Sequence, residues 1–330
     1  MLEKPIVIHT HFHKRRTGVT RSIENILPYL STSFNTYIYG YNVKGDRIST
    51  SQLLKLLFSD KKVTVHCHRN NEMLRMLFFR LLGAKFKMVS TRHAETFPSK
   101  LSLYLFKKSN VLVTLTQKMS DLIGINNVLI PHGVDTNLFI PKTDTSIPEP
   151  IQQKNYILCA GRVRKAKGQK VLLEASVSIL KSNPDYALVI VGKIDKEDYL
   201  KELQNLVTEN GISSQVYFID ETSNIISFYQ SAKIVVVPSF SEGFSLVCAE
   251  AMSCGITTIA TKEVGIHSSL INHKKTGYLF EAGNYQELSL ILNDVISGKL
   301  PLLGNDARNE IIKNWSAKKE AELLEKVYKQ

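Results

Sequence analysis

Short β-branched and apolar runs alternate with segments whose apolar residues recur every three or four positions. In the first half, the runs predict strands at 5–10, 36–41, 62–66, 86–91, 111–116 and 127–130. Between them, the three- and four-residue steps predict helices at 22–30, 52–58 and 71–82.

The second half repeats this alternation. Strands are predicted at 156–160, 187–191, 215–219, 234–238 and 257–260, with helices at 170–181, 196–209, 244–253 and 286–297. Strand–helix alternation is typical of parallel sheets with right-handed crossovers. The fold class predicted is therefore α/β, with two Rossmann-like, doubly wound domains and a ligand crevice at the carboxyl ends of the strands.

A linker is predicted at 141–155, where three of the ten prolines stand among polar residues. It separates an N-terminal domain, 1–145, from a C-terminal domain, 146–314. The tail after 314 is predicted to form a helix, at about 315–330, that packs back on the first domain. We expect the domains to close about the linker.

Positive charge is concentrated in the first half. Residues 1–150 carry 21 Lys and Arg against 10 Asp and Glu, whereas residues 151–330 carry 21 against 20. Such asymmetry indicates an anionic partner or a basic, solvated surface. Because no nucleic-acid-binding motif is present, a membrane surface or anionic glycolipid is favoured over nucleic acid. The absence of a long apolar run and of a signal-peptide pattern predicts a cytoplasmic protein.

Neither a metal nor a dinucleotide cofactor is predicted. The four cysteines, Cys67, Cys159, Cys248 and Cys254, lie among apolar neighbours without metal-ligand spacing. No GxGxxG follows the first strand, which is followed by a single glycine, Gly18, before a helix. A glycine there lets a ligand approach the backbone near a helix N-terminus, where anions are favoured.

Two carboxylates mark a candidate site in the second half. Glu242 and Glu250 stand eight residues apart in SEGFSLVCAEAMSCG, or about 12 Å along a helix. That separation suits the two ends of an extended ligand, and each carboxylate can accept from vicinal hydroxyls. The amides of Phe244, Ser245 and Leu246 would be offered to a diphosphate. The alternative is a capping glutamate and an ordinary helix acid.

Two cations mark the loop that follows the first strand of this half. Arg162 and Lys167 lie in GRVRKAKG, where they could neutralise charge on a departing diphosphate without a metal. A basic surface loop is the alternative reading.

These motifs, with IPHGVDTNLFIP, resemble glycosyltransferase family four, which are retaining enzymes of the GT-B fold. The resemblance extends over almost the whole chain and implies two domains facing a central cleft. It implies that Glu242, next to Gly243, binds the transferred sugar and that Glu250 binds the ribose. Arg162 and Lys167 would hold the diphosphate, and Gly18 would contact it from the other domain.

The resemblance also covers His93, in STRHAETFP, which matches the family's histidine near the reacting centre. A lone histidine would otherwise be read as structural. FHKRRTGVTRSIENILPYL and CHRNNEMLRMLFFRLLGAKFKMVSTRH are similar to bacterial lipopolysaccharide core mannosyltransferases. That similarity implies GDP-mannose as co-substrate and a lipid-linked core saccharide as acceptor, at the inner membrane's cytoplasmic face. An anionic acceptor would explain the basic residues Lys14, Arg15, Arg16, Arg21 and Arg69.

The chemistry expected is a metal-independent, retaining transfer by front-face attack. No DxD motif is present, and the protein would contribute positioning and stabilisation of diphosphate charge. Three alternatives stay open: a UDP-sugar transferase acting on capsule or another glycan, a nucleotide-sugar epimerase of the same fold, and a non-catalytic basic binding module.

Overall fold

The computed structural model describes residues 4–143 and 145–330. It divides the chain into unit 1, residues 1–135 and 315–330, and unit 2, residues 136–314. Each unit contains a six-stranded sheet, and all strand pairs are parallel. The predicted α/β fold with two Rossmann-like units is confirmed. Residues 1–3 of the predicted first domain and residue 144 of the predicted linker lie outside the described residues.

The sheet of unit 1 has the order β2-β1-β3-β4-β5-β6. Its strands are β1 Ile6–His11, β2 Asn35–Gly40, β3 Val63–Cys67, β4 Lys87–Arg92, β5 Val111–Thr114 and β6 Val128–Leu129. Its helices are α1 Gly18–Leu30, α2 Thr50–Leu57, α3 Asn70–Leu81, α4 Lys100–Lys108, α5 Gln117–Ile123 and the C-terminal α13 Ala317–Lys329.

Helix α13 belongs to the core of unit 1. Its buried residues Leu324 and Tyr328 share an apolar cluster with Ile26 and Leu30 of α1. Apolar residues at three- and four-residue steps give both helices one buried face, so burial of that face fixes α13 against α1.

The sheet of unit 2 has the order β12-β11-β10-β7-β8-β9. Its strands are β7 Asn155–Ala160, β8 Tyr186–Val191, β9 Val216–Ile219, β10 Ile234–Val237, β11 Thr257–Thr261 and β12 Tyr278–Phe280. Its helices are α6 Gln169–Ser182, α7 Glu197–Glu209, α8 Ile225–Ser231, α9 Leu246–Ser253, α10 His267–Leu270, α11 Tyr285–Ile296 and α12 Gly304–Asn314.

The predicted elements are present, with end points shifted by a few residues. The largest shift is at α1, which begins at Gly18 instead of Ser22. Helix α9 begins at Leu246 instead of Phe244. Ser245 has φ +83°, a left-handed conformation that cannot continue a right-handed helix. Elements that the periodicity did not predict include α4, α5, α8 and the three-residue strand β12.

No helix within residues 4–143 and 145–330 combines the length and the apolar character needed to cross a bilayer.

Candidate functional site

The candidate site of unit 2 lies where the strand order of its sheet reverses. Strand β7 starts the unit, the chain then moves outward through β8 and β9, and it returns to β10 on the other side of β7. Open α/β sheets bind ligands beside such a reversal, outside the carboxyl ends of the strands, so the loops that leave β7 and β10 are the candidate ligand-binding loops. The first loop carries Arg162 and Lys167, and the second carries Glu242.

The loop after β7 is held by a short 3₁₀ turn and a glycine. The turn spans Lys165–Lys167, and Gly168 follows with φ +70°. A Cβ at Gly168 would lie 1.9 Å from the carbonyl oxygen of Pro238. The amide of Phe240 donates to the carbonyl of Ala166 at 2.9 Å. The backbone thus packs the Lys167 loop directly against the loop after β10.

This packing brings two of the predicted site residues into contact. The ammonium of Lys167 donates to Oε1 of Glu242 at 2.6 Å, and the Ser239 hydroxyl donates to the same oxygen at 2.7 Å. Only 18% of the Lys167 side chain and 9% of the Glu242 side chain are exposed. Burial raises the pKa of Glu242, but Lys167 and these hydrogen bonds outweigh it and hold the pKa below its ordinary value.

Arg162 and Glu250 have other partners. The exposed Arg162 guanidinium lies 3.5 Å from Asp195, and the buried Glu250 accepts from the Tyr229 hydroxyl at 3.1 Å. Glu242 lies in the loop before α9, while Glu250 lies within that helix. The structure therefore brings Lys167 and Glu242 together and gives Arg162 and Glu250 separate contacts.

The residues between Glu242 and α9 form the turn that leads into the helix. Gly243 is partly exposed, whereas Phe244, Ser245 and Leu246 are buried. The amides of the first turn of a helix lack acceptors within that helix, so they are available to an anion or to a neighbouring group.

His267 supports this turn and was not singled out from the sequence. Its Nδ1 lies 2.9 Å from the Thr261 carbonyl, which can only accept, so Nδ1 carries the proton. Its Nε2 then accepts from the Ser245 hydroxyl at 2.8 Å. Burial lowers the pKa of His267 and keeps the ring neutral. Its position shortly after β11, beside the reversal of strand order, was the available signal.

In unit 1 the predicted basic residues lie after β1 and β3. Lys14, Arg15 and Arg16 are exposed in the loop before α1, and Arg16 is paired with Glu24 at 2.5 Å. Arg21 lies on α1 and is partly buried. Arg69 lies just before α3 and donates to the Thr17 hydroxyl at 3.4 Å. Gly18 is exposed as the first residue of α1.

Glu72, a second residue that was not singled out, fixes this region from α3. Its carboxylate accepts from the Phe12 amide at 3.0 Å, the Thr10 hydroxyl at 3.0 Å and the His68 amide at 2.7 Å. Burial raises its pKa, while these donors and Arg69 act in the opposite direction. A buried carboxylate thus links the loop that carries Lys14 to the end of β3.

His93, at the end of β4, is partly buried and lies between two other histidines. Its Nε2 is 3.2 Å from His68 Nδ1, and its Nδ1 is 3.3 Å from His132 Nε2. Burial lowers its pKa well below the ordinary value, and His132 adds to that shift. His93 is therefore neutral at physiological pH.

Three other buried histidines have the spacing of a metal site. His9, His66 and His68 each offer one ring nitrogen, and these three nitrogens lie within 4.8 Å of one another. His66, however, already contacts the Tyr328 hydroxyl at 2.6 Å and the Thr91 hydroxyl at 2.7 Å. These bonds would compete with a metal ion for the same lone pairs.

Comparison with known proteins places these sites in a family context. Residues 142–318 match the sequence model of the family described as glycosyl transferases group 1. The lipopolysaccharide core biosynthesis mannosyltransferase LpcC of Rhizobium leguminosarum bv. viciae is 24% identical over 98% of this chain and 95% of its own length. The enzyme of the same description in Rhizobium meliloti, LpsB, is 26% identical over 80% of this chain and 78% of its own.

The fold matches solved structures over nearly the whole chain. Anabaena HepE, solved in complex with UDP and glucose, has a TM-score of 0.81 and 16% identity. The match covers 98% of this chain and 99% of that one. Such low identity shows the GT-B fold alone. Together, the family match over more than half of the sequence and the fold show that the chain is a glycosyltransferase of the glycosyl transferases group 1 family.

Proposed function

We propose that this protein transfers mannose from GDP-mannose to a lipid-linked lipopolysaccharide core acceptor. The names of the two Rhizobium relatives support mannose as the transferred sugar and a role in lipopolysaccharide core biosynthesis. The observation that carries the donor site is the Lys167–Glu242 pair, because it sets a cation and an ionised carboxylate side by side at the reversal of strand order, where open α/β sheets bind ligands.

In this proposal, Glu242 binds the sugar of the donor and Lys167 binds its diphosphate. Lys167 and Ser239 both donate to Oε1 of Glu242, so Oε2 is the oxygen available to the hydroxyls of a sugar. The Lys167 ammonium would accompany Arg162 on the diphosphate, and the α9 turn from Gly243 would add amides. Glu250 would reach the ribose hydroxyls by exchanging its bond with Tyr229.

The reaction proposed retains the anomeric configuration and uses no metal or other cofactor. The acceptor oxygen attacks the anomeric carbon from the face that the diphosphate leaves, and the carbon–oxygen bond to the diphosphate breaks. The acceptor proton passes to the departing phosphate oxygen. Lys167 and Arg162 would stabilise the charge that develops there. The roles that the resemblance implies for Gly18 and His93 stay predictions.

Donor binding and transfer test this proposal. GDP-mannose is expected to raise the melting temperature more than UDP-glucose. Transfer should survive a chelator and give a product with the donor's anomeric configuration. Lys167→Ala should lower kcat by about 10²-fold or more, since it removes a preorganised charge from the leaving group. Lys165→Ala is the matched control, because Lys165 is exposed and lies 3.5 Å from Glu202.

A UDP-sugar donor is the second candidate, and the HepE complex with UDP and glucose favours it. A larger thermal shift with UDP-glucose, together with transfer from it, would replace GDP-mannose by a UDP-sugar. Isomerisation of the donor without an acceptor would indicate an epimerase instead.

The exposed basic loop before α1 is proposed to bind the anionic acceptor, with Arg21 and Arg69 behind it. Replacing Arg15 and Arg16 by Ala should raise the KM for the acceptor and leave slow donor hydrolysis unchanged. An equal loss of both activities would contradict a role in acceptor binding alone.

The chain is also proposed to act at the cytoplasmic face of the inner membrane, with α3 and α4 lying against the lipid. On α3, Leu74, Phe78 and Leu81 follow helical spacing and are exposed, Phe78 by 55% and Leu81 by 86%. On α4, Leu101 and Tyr104 share one exposed face. Apolar side chains with such exposure on adjacent turns are typical of helices that dip into a bilayer interface.

Basic residues flank this apolar surface. The two helices are joined by a hydrogen bond from Asn70 to Ser102 at 2.9 Å. Exposed lysines lie at the ends of both helices, at Lys85, Lys100, Lys107 and Lys108. Lysines beside an apolar surface favour anionic lipid headgroups.

Vesicle sedimentation tests the membrane surface. The protein should bind vesicles that contain phosphatidylglycerol, and Phe78→Glu with Leu81→Glu should abolish binding. Leu290→Glu is the matched control, because Leu290 is 67% exposed on α11 of unit 2. Equal loss in the control, or unchanged binding in the double variant, would contradict this placement.

A further inference from the structure

Four histidines of unit 1 form one continuous line of hydrogen bonds. His9 Nδ1 lies 3.2 Å from His68 Nε2, and His68 Nδ1 lies 3.2 Å from His93 Nε2. His93 Nδ1 lies 3.3 Å from His132 Nε2. The line ends where His132 Nδ1 lies 2.9 Å from Oε1 of Glu320 on α13.

The order of the strands explains why these rings meet. Strands β1, β3 and β4 are neighbours in the sheet, and their carboxyl ends carry or precede His9, His68 and His93. His132 follows β6, which β5 separates from β4, and its ring reaches His93 from the loop after β6. Side chains from the ends of adjacent parallel strands lie one strand spacing apart, about 4.8 Å, which an imidazole can bridge.

The carboxylate fixes the direction of every bond in the line. Oε2 of Glu320 accepts from the Gly133 amide at 2.7 Å, and an ionised carboxylate can only accept. His132 Nδ1 must then carry a proton, and with a single proton on that ring His132 Nε2 accepts from His93 Nδ1–H. Because His93 has its single proton on Nδ1, its Nε2 accepts from His68 Nδ1–H.

The end of the line opposite Glu320 is the buried lone pair of His9 Nε2. His68 Nε2 accepts from His9 Nδ1–H, and His9 Nε2 is buried without a hydrogen-bond partner among the described residues. Burial lowers the pKa of His9 to about 3 and those of His68 and His93 well below the ordinary value. These three rings are thus neutral at physiological pH, in agreement with one proton per ring.

We propose that Glu320 is a positioning residue for His93: acting through His132, its carboxylate fixes the Nδ1–H tautomer and the orientation of the His93 ring. Both ring nitrogens of His93 are then committed to other histidines. Resting on the proposed function, the consequence is that His93 is a fixed neutral ring and exchanges no proton during transfer.

A single amide substitution should reverse the whole line. In Glu320→Gln the side-chain oxygen can accept from the Gly133 amide, which turns the NH₂ group toward His132. That group donates to His132 Nδ1, so His132 becomes the Nε2–H tautomer and donates to His93. The reversal continues to His9 without loss of any bond.

Long-range ¹H–¹⁵N spectra of the full chain, labelled at histidine and recorded at pH 8 with EDTA, distinguish the two tautomers. We expect Nδ1–H at His9, His68, His93 and His132 in the native protein, and Nε2–H at all four in Glu320→Gln. Glu322→Gln on the same helix is the matched control, because Glu322 is exposed, and it should match the native spectrum.

Several outcomes would overturn the proposal. An Nε2–H tautomer at His93 in the native protein would do so, as would an unchanged His93 in Glu320→Gln. A spectrum that changes when EDTA is added would show a metal ion on His9, His66 and His68, which would replace the bond between His9 and His68 and break the line.

Glycosyl transfer gives a second, separate readout. Glu320→Ala removes the acceptor for His132 and should lower kcat by about tenfold or more, because small displacements of a positioned group are costly. Glu322→Ala should leave kcat unchanged, and equal rates in the two variants would refute the positioning role. If the native protein transfers no sugar from any donor, the proposed function fails while the spectra still decide the tautomer.

Discussion

At the scale of single residues, the Lys167–Glu242 pair places two opposite charges in a largely buried position. Both side chains are largely buried, so each charge has lost most of its water. The ion pair and the Ser239 hydroxyl compensate for that loss only while all three groups are present. In the proposed function, both groups are already charged before the donor binds.

We predict that Glu242→Gln lowers the free energy of unfolding by about 2 kcal/mol at pH 7, because Lys167 keeps its buried charge and loses its anion. The pKa of Glu242 is lower in the folded protein than in the unfolded chain, where it takes the ordinary value of 4.5. The stabilisation is therefore complete above pH 4.5 and is lost as the pH falls through the folded pKa. Urea unfolding of both proteins at pH 7, 5 and 4 measures this difference.

Glu202→Gln provides the control. Glu202 pairs with Lys170 at 2.9 Å, but 35% of the Glu202 side chain and 44% of the Lys170 side chain are exposed. The expected cost is close to zero and far below that of Glu242→Gln, as for other surface pairs. Equal costs for the two substitutions would show that the Lys167–Glu242 pair is no more than a surface contact.

At the scale of elements, the site depends on a glycine that lets two loops approach each other. We predict that Gly168→Ala destabilises the protein by more than about 2 kcal/mol and abolishes nucleotide binding. Its Cβ would lie 1.9 Å from the Pro238 carbonyl, so the loop that carries Lys167 must move. Gly168 also has φ +70°, which adds about 1–2 kcal/mol of strain for any other residue.

Gly211→Ala distinguishes the backbone strain of a positive φ from the steric clash with Pro238. Gly211 has nearly the same backbone, φ +68°, and a Cβ there would meet nothing within 4 Å. It should cost only the strain and leave the thermal shift with nucleotide unchanged. If both substitutions have the same effect on nucleotide binding, the close approach at Pro238 does not organise the site.

The elements also show where sequence reasoning succeeds. Strands with continuous apolar runs, such as β8 and β10, were predicted because strands covered on both faces leave few polar positions. Helix α4 was missed, since its exposed Leu101 and Tyr104 blur the division into apolar and polar faces. Strand β12 is too short, at three residues, to show a pattern.

The sequence predicted which residues belong to the candidate site but not which of them contact each other. Motif spacing selected Lys167 and Glu242, and the structure joins them at 2.6 Å. Motif spacing could not show that Arg162 pairs with Asp195, because that contact depends on the loop after β8. Nor did it select His267, whose role comes from hydrogen bonds across the sheet edge.

At the scale of the whole molecule, the two units differ in more than net charge. Unit 1 contains the line of imidazoles, with the further buried His66 stacked on His68 at 4.5 Å between ring centroids. In unit 2, His267 is buried and contacts Ser245, in the turn that leads into α9. The sequence showed nine histidines but not the clustering in unit 1, because the clustered rings are spread over 123 residues, from His9 to His132, and meet only in the folded sheet.

This difference predicts that acid unfolds unit 1 before unit 2. In unit 1, burial lowers the pKa of His9 to about 3 and those of His66, His68 and His93 well below 6.5. In the unfolded chain each ring takes up a proton near pH 6.5, which the folded protein excludes. Stability is therefore full above pH 6.5 and falls below it, by up to about 1.4 kcal/mol per pH unit for each histidine.

Unit 2 has fewer such groups, chiefly His267, whose pKa is also lowered by burial. Hydrogen exchange at pH 6.5 and 5.5, corrected for the intrinsic rate, should show a larger loss of protection in β1 and β3 than in β7 and β10. Replacing His267 by Asn should leave this difference in place, since His267 lies in unit 2. Equal loss in the two sheets would mean that the histidines of unit 1 are already protonated in the folded protein, and their neutral, bonded arrangement would then be wrong.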